Sequence, residues 1–145
     1  MKMKFRSSCM IASALDLIGD KWSLLIVRDM LLEKKTTFKE FILSDEKVAT
    51  NLLSSRLKLL ESLEVITKDK LQTNKKENIY LLTEKGIALA PLIMELVIWS
   101  DTYVRAYHTA LNNYVTVNMN KEEVITNAQN NYIDFAAQFK SQLVS

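Results

Sequence analysis

Glycine and proline are almost missing from this 145-residue chain, which has two glycines and one proline. Few positions can take a left-handed turn freely, and long irregular loops lose ground to helices. One cysteine and one histidine exclude a disulfide framework or a Cys/His zinc cluster built within one chain. There is no Gly-rich phosphate loop, no Ser/His/Asp arrangement and no metal-ligand spacing, so no enzyme motif is present and no cofactor is expected. Apolar runs such as Leu24-Leu25-Ile26-Val27 and 87–94 are too short to span a bilayer. The basic start, Met1 to Arg6, resembles the head of a signal peptide, but Asp16 breaks the segment that follows. A cytoplasmic protein without a membrane partner is expected, and a single unpaired thiol fits a reducing compartment.

The remainder is an ordinary folded composition, 48% hydrophobic and 25% charged. Its length suits one domain with an appended element. Ile11, Leu15 and Ile18 fit one helical face that Gly19 can end. Asp20 can cap a helix over 21–32, with Trp22, Leu25, Ile26 and Met30 as its buried stripe. Thr37-Phe38-Lys39-Glu40 has the capping-box pattern and starts a short helix that ends near Ser44. After a turn over 45–48, the next helix spans 49–63. Leu52, Leu53, Leu57, Leu59, Leu60 and Leu63 fill one arc of it, while Asn51, Ser55, Lys58 and Ser62, with Ser54 beside them, form the opposite face. That face is short, polar and able to hydrogen-bond, unlike the Glu/Lys-rich side of a plain solvated helix.

Strands follow at 65–68 and 78–82, with Thr73-Asn74-Lys75-Lys76 at the tip between them. A helix opens at Thr83-Glu84-Lys85-Gly86 and runs into the hundreds, interrupted by Pro91 or restarted at it. The Asn-rich stretch 110–120 gives no clear pattern. From Lys121 a last helix carries Ile125, Ala128, Tyr132, Phe135, Phe139 and Leu143 on one stripe. The expected fold is mainly α with a small β-hairpin, a winged helix-turn-helix with extra terminal helices. Residues 1–109 would form the DNA-binding domain, and 110–145 a helical extension whose apolar stripe packs on its own domain or, preferred, on a partner subunit as dimer interface. Charge supports this. Between Lys47 and Lys76 there are seven basic residues against three acidic ones, while the whole chain is only +2. Phosphate binding demands such local concentration.

Several stretches carry a family resemblance. They are Cys9 with 14–22, then 25–31, Phe38-Lys39-Glu40-Phe41, 53–61, Tyr80-Leu81-Leu82-Thr83 with Gly86, and Pro91-Leu92 with Trp99. In this order and spacing the sequence resembles the HxlR-type (MarR/DUF24-like) bacterial winged helix-turn-helix regulators, over roughly residues 9–103. It departs at Val48-Ala49-Thr50-Asn51, where the family often has Ser-Pro, and it extends some forty residues further. The resemblance implies a homodimeric transcriptional regulator, a repressor, on a palindromic double-stranded DNA operator. It also implies a small-molecule or redox effector, since some relatives sense oxidants or electrophiles at the cysteine position that Cys9 matches.

Each candidate has a plainer reading beside the functional one. Asn51, Ser54, Ser55 and Lys58 are a solvated face or a base-reading face; Asn51, able to pair bidentately with adenine, is the first choice for a base contact. Thr50 is a cap or a phosphate contact. Thr37 and Lys39 open a helix whose free amides could meet a phosphate; an ordinary cap is the plainer reading, and the two are compatible. Lys75 and Lys76 are surface lysines or backbone contacts. Arg56 matches a family position but falls inside the leucine arc, so a structural role with a carboxylate partner is preferred. Cys9, with Lys2, Lys4 and Arg6 upstream, is a buried small hydrophobe or a possible redox sensor. Trp22, Trp99, Tyr103 and Tyr107 are read as core or dimer interface rather than ligand pocket, and His108 as incidental. The competing function is a winged-helix protein-interaction module without sequence-specific DNA binding.

Overall fold

The computed structural model describes residues 3–113 and 120–144. Lys2, and the six residues 114–119 within the unassigned stretch, lie outside these. Helix α1 (Met10–Ile18) ends where Gly19 N donates to Leu15 O. Helix α2 (Lys21–Glu33) starts as expected: the Asp20 carboxylate accepts from Ser23 N at 2.9 Å and from Ser23 Oγ at 2.6 Å. Its buried stripe is turned relative to the expected one. Ile26, Val27, Met30 and Leu31 are inside, and Trp22 and Leu25 are only half-buried. The cause is a pair of buried polar residues on the inward side. Ser23 is satisfied by Asp20, while Asp29 accepts from Ser44 Oγ at 2.5 Å and from Arg28 at 2.6 Å.

Helix α3 (Phe38–Ile42) and helix α4 (Thr50–Ser62) form the helix-turn-helix. Strands β1 (Ile66–Lys70) and β2 (Asn78–Leu82) pair antiparallel from Ile66↔Leu82 to Lys70↔Asn78. Helix α5 (Glu84–Ile87) is a single turn, tucked so closely that a Cβ on Gly86 would lie 2.4 Å from Val65 O. Helix α6 (Ala90–Tyr103) restarts the chain with Pro91 in its first turn, where a missing N–H costs nothing. A 3-10 turn covers Thr109–Asn113, and α7 (Lys121–Lys140) follows, capped by Asn120 on Glu122 N and Glu123 N.

Leucines of α4, the inner face of α2 and strand β2 form the core. Helix α7 belongs to it. Tyr132 is 0% exposed, Ala136 is buried, and α7 packs on α2 and α6. One side of α7 is thus held in the chain's own core through Tyr132 and Ala136, while Ile125, Ala128, Phe135 and Phe139 are half-buried and Ile133 is 48% exposed. A second expectation also changes. Glu84–Tyr103 is long and apolar enough to cross a bilayer by length and composition alone, because the apolar runs 87–94 and 96–99, each too short, are divided only by Glu95. The stretch is nonetheless broken between Ile87 and Ala90, and Ala90 and Ile93 are packed in the core.

Candidate nucleic-acid interface

The polar side of α4 faces outward. Thr50, Asn51, Ser55 and Lys58 are exposed, and Ser54 is half-buried beside them. Behind them Leu53, Leu57 and Leu60 are buried. Ala49 holds the N-cap position with no side-chain bond, so Thr50 is the first helical residue and not the cap. Arg56 reaches back to Asp20, Nε to Oδ1 at 2.9 Å, and also donates to Ser55 Oγ at 3.4 Å. This is the carboxylate partner expected for it. The Asp20 carboxyl sits below its ordinary range. Burial pulls it up, but the Ser23 hydroxyl and amide and the Arg56 guanidinium together outweigh burial.

The hairpin stands beside α4, and a cleft of about 370 Å³ opens between them. Lys58, Lys68 and Lys76 line it together with Ser54, and Glu61 and Glu77 lie on its walls. Lys68 approaches Glu61 at 4.0 Å. Lys75 is exposed at the tip, and Lys76 N is held by Asn74 Oδ1 at 3.1 Å. Lys68 had been counted only as charge; its place on a short strand beside α4 is what brings it to the cleft.

The start of α3 forms the expected capping box. Thr37 is buried, its hydroxyl accepts from Glu40 N, and the Glu40 carboxylate accepts from the amides of Thr36 and Thr37 at 3.0 and 3.1 Å. Thr37 is thus a cap, and the Glu40 side chain closes the box on the amides that precede the helix. Burial raises the Glu40 carboxyl, but the bonds from Thr36 and Thr37 win and hold it low. Lys39 remains exposed on the outer side.

The turn between α3 and α4 is fixed by charge. Arg28 Nη2 lies 2.8 Å from Glu46 Oε1 and 2.6 Å from Asp29 Oδ1, and Lys35 Nζ donates to Ser44 Oγ at 2.7 Å. The Arg28 contact holds the Glu46 carboxyl below its usual value. Cys9 is exposed at the N-cap of α1, not buried. Of the upstream cations, Arg6 is engaged by Asp16 at 2.9 Å and Lys4 is exposed. Trp99, Tyr103 and Tyr107 are exposed rather than in the core, and the rings of Trp99 and Tyr103 meet at 5.5 Å, tilted by 48°. His108 is exposed. An apolar cavity of about 700 Å³ lies between α2 and α6. Among the described residues no group of three or more His, Cys, Asp or Glu could hold a metal.

A helix-turn-helix with an outward polar second helix, flanked by a lysine-bearing β-hairpin, defines a winged helix-turn-helix DNA-binding domain. The chain belongs to the HxlR-like helix-turn-helix family, whose model matches residues 17–108. It is 34% identical over 91 residues to the HTH-type transcriptional regulator YodB of Bacillus subtilis (strain 168), covering 63% of this chain and 80% of the relative. The reduced form of YodB superposes with a TM-score of 0.53 at 31% identity, over 67% of this chain and 95% of that one. YodB has also been solved quinone-bound and diamide-treated. The transcription-factor candidate PA1607 superposes with a TM-score of 0.61 at 34% identity, over 79% of this chain and 72% of that one. The protein is accordingly a DNA-binding transcriptional regulator by family and by fold.

Proposed function

We propose that the protein is a repressor that binds a palindromic operator as a homodimer in the cytoplasm. The observation that carries the reading is the outward Asn51, Ser55 and Lys58 face beside a cleft lined by three lysines. Helix α4 enters the major groove, Asn51 reads a base edge, and Lys58, Lys68, Lys75 and Lys76 meet phosphates of the flanking backbone. Thr50 and Lys39 reach the backbone from the helix starts.

Dimerisation is supported by two unpartnered apolar surfaces. Met10, Ile11 and Leu15 stand out from α1, and Leu92, Leu96, Trp99 and Tyr103 from α6. A patch of this kind marks an interface. The apolar side of Glu84–Tyr103 is then a subunit contact and not a membrane contact. An oxidant or electrophile acting at the exposed Cys9 thiol is the effector; the quinone-bound and diamide-treated forms of YodB support this class. Any disulfide of this sole cysteine is intersubunit or to a small thiol.

The test is a titration of a duplex from the gene's own upstream region against an unrelated duplex, at several salt concentrations. Specific binding that weakens steeply with salt is expected. A protein-interaction module gives neither. Diamide should release the wild-type protein but not Cys9→Ser; release of both removes Cys9 from the mechanism.

A further inference from the structure

A two-stranded hairpin is marginally stable by itself in water, and its outer edges carry unpaired amides and carbonyls. Here both edges are occupied. On the β2 side, Tyr80 N donates to Thr36 O at 2.7 Å, and Leu82 N donates to Tyr132 Oη at 2.8 Å. On the β1 side, next to the tip, the last residues of the chain run antiparallel to it, with Leu71 opposite Leu143. Val144 N donates to Lys70 O at 2.8 Å and Gln72 N donates to Gln142 O at 2.9 Å. Gln72 Nε2 donates to Leu143 O at 2.9 Å. A single antiparallel bridge, flanked by two backbone bonds, thus ties the tail to the end of β1 just before Lys75 and Lys76. These tail residues lie outside the region 17–108 that the family shares.

We infer that residues 142–144 are a brace for the wing. They fix the direction in which the 71–77 loop leaves β1, and so place Lys75 and Lys76 for the DNA backbone without touching DNA themselves. An unbraced loop must lose conformational freedom to bring its lysines to phosphates, so it keeps about one fewer lysine contact in the complex; a braced loop has lost that freedom already and holds the contact. The inference rests on the DNA-binding reading above, and its test separates the two.

Three variants suffice: a chain ending at Ser141, Val144→Pro, which deletes one N–H, and Val144→Ala, which keeps it. Amide hydrogen exchange in the free protein reads the brace, and duplex titration across salt reads its effect. The shortened chain should still unfold cooperatively, since Tyr132 and Ala136 stay in the core. Its Gln72 amide should exchange at least about tenfold faster. Affinity should fall by about three- to tenfold on all duplexes alike, with the slope of log K against log salt shallower by about one. Val144→Pro should move the same way and Val144→Ala should match the full chain. A simple loss of stability would not change the salt slope. Unchanged Gln72 exchange overturns the brace, and faster exchange with an unchanged slope overturns its role in DNA binding. If the full chain binds no duplex at low salt, the functional reading fails instead, and the exchange data still judge the brace.

Discussion

Asp20 serves two helices at once: it caps α2 through Ser23 and anchors α4 through Arg56. The ion pair is about two-thirds buried on both sides, with exposures of 29% and 30%. Arg56→Met should therefore destabilise the fold by about 1 kcal/mol in denaturant unfolding, after discounting for solvent screening. It should leave the salt slope of DNA binding nearly unchanged, because the guanidinium is held inward. Asn51→Ala should do the opposite: stability is kept, and binding loses about 1–3 kcal/mol at one base pair of the operator. If Asn51→Ala binds all sequences as before, the base contact is misassigned. Tyr132 gives a test in alkali. Burial pushes its hydroxyl up to about 12, against an opposing bond from Leu82 N. The folded state then holds the phenolic proton more tightly than the unfolded chain. This stability is complete below about pH 10 and is lost as pH climbs towards 12, a change of about 2–3 kcal/mol. Urea midpoints should fall across that range in the wild type, and Tyr132→Phe should flatten the fall.

The helical elements were largely legible. Periodicity placed α2 and α4 within a residue or two and the start of α7, whose expected stripe ran on to Leu143 although the helix ends at Lys140 and Leu143 bridges to Leu71; Thr37 with Glu40 marked the start of α3. Some of the chemistry serves two ends. A capping box and a phosphate-binding helix start use the same residue types, and only the structure shows Glu40 already seated on the amides of Thr36 and Thr37. The stripe of α2 was misread because Ser23 and Asp29 count as polar yet are buried and bonded. The pairing of β1 with the tail was invisible because two of its bonds are between backbone groups, which leave no residue signature. Scarcity of glycine has its own consequence. Lys34, Lys47 and Glu64 take the left-handed region, at φ of 55°, 55° and 60°. Lys34 is the C-cap of α2, where its N–H donates to Met30 O. Lys34→Gly should relieve the strained position and gain about 0.5–1 kcal/mol, read as a higher unfolding midpoint in denaturant.

Taken whole, the molecule presents two kinds of surface. One carries the polar side of α4 and the lysines of the wing; the other carries the apolar sides of α1 and α6. The sequence pointed to the first through the local excess of lysine and arginine. It pointed to the second only in part, because the stripe of α7 is the more regular apolar pattern, although Tyr132 and Ala136 of that helix lie in the core. A monomer would leave Met10 88% and Trp99 59% exposed, whereas a two-fold pair would hide both faces and set two α4 helices for successive major grooves. Leu96 stands on the outer side of α6, 47% exposed, so a charge there should spare the folded chain and disrupt the pairing. Leu96→Glu should sediment at half the mass of the wild type with unchanged helical content. Operator affinity should drop by about a hundredfold, the scale expected when two linked half-site contacts become independent. Affinity for a single half-site should be unaltered, since neither α4 nor the wing has changed. A variant that still sediments as the wild type would show that α6 is not the contact between subunits.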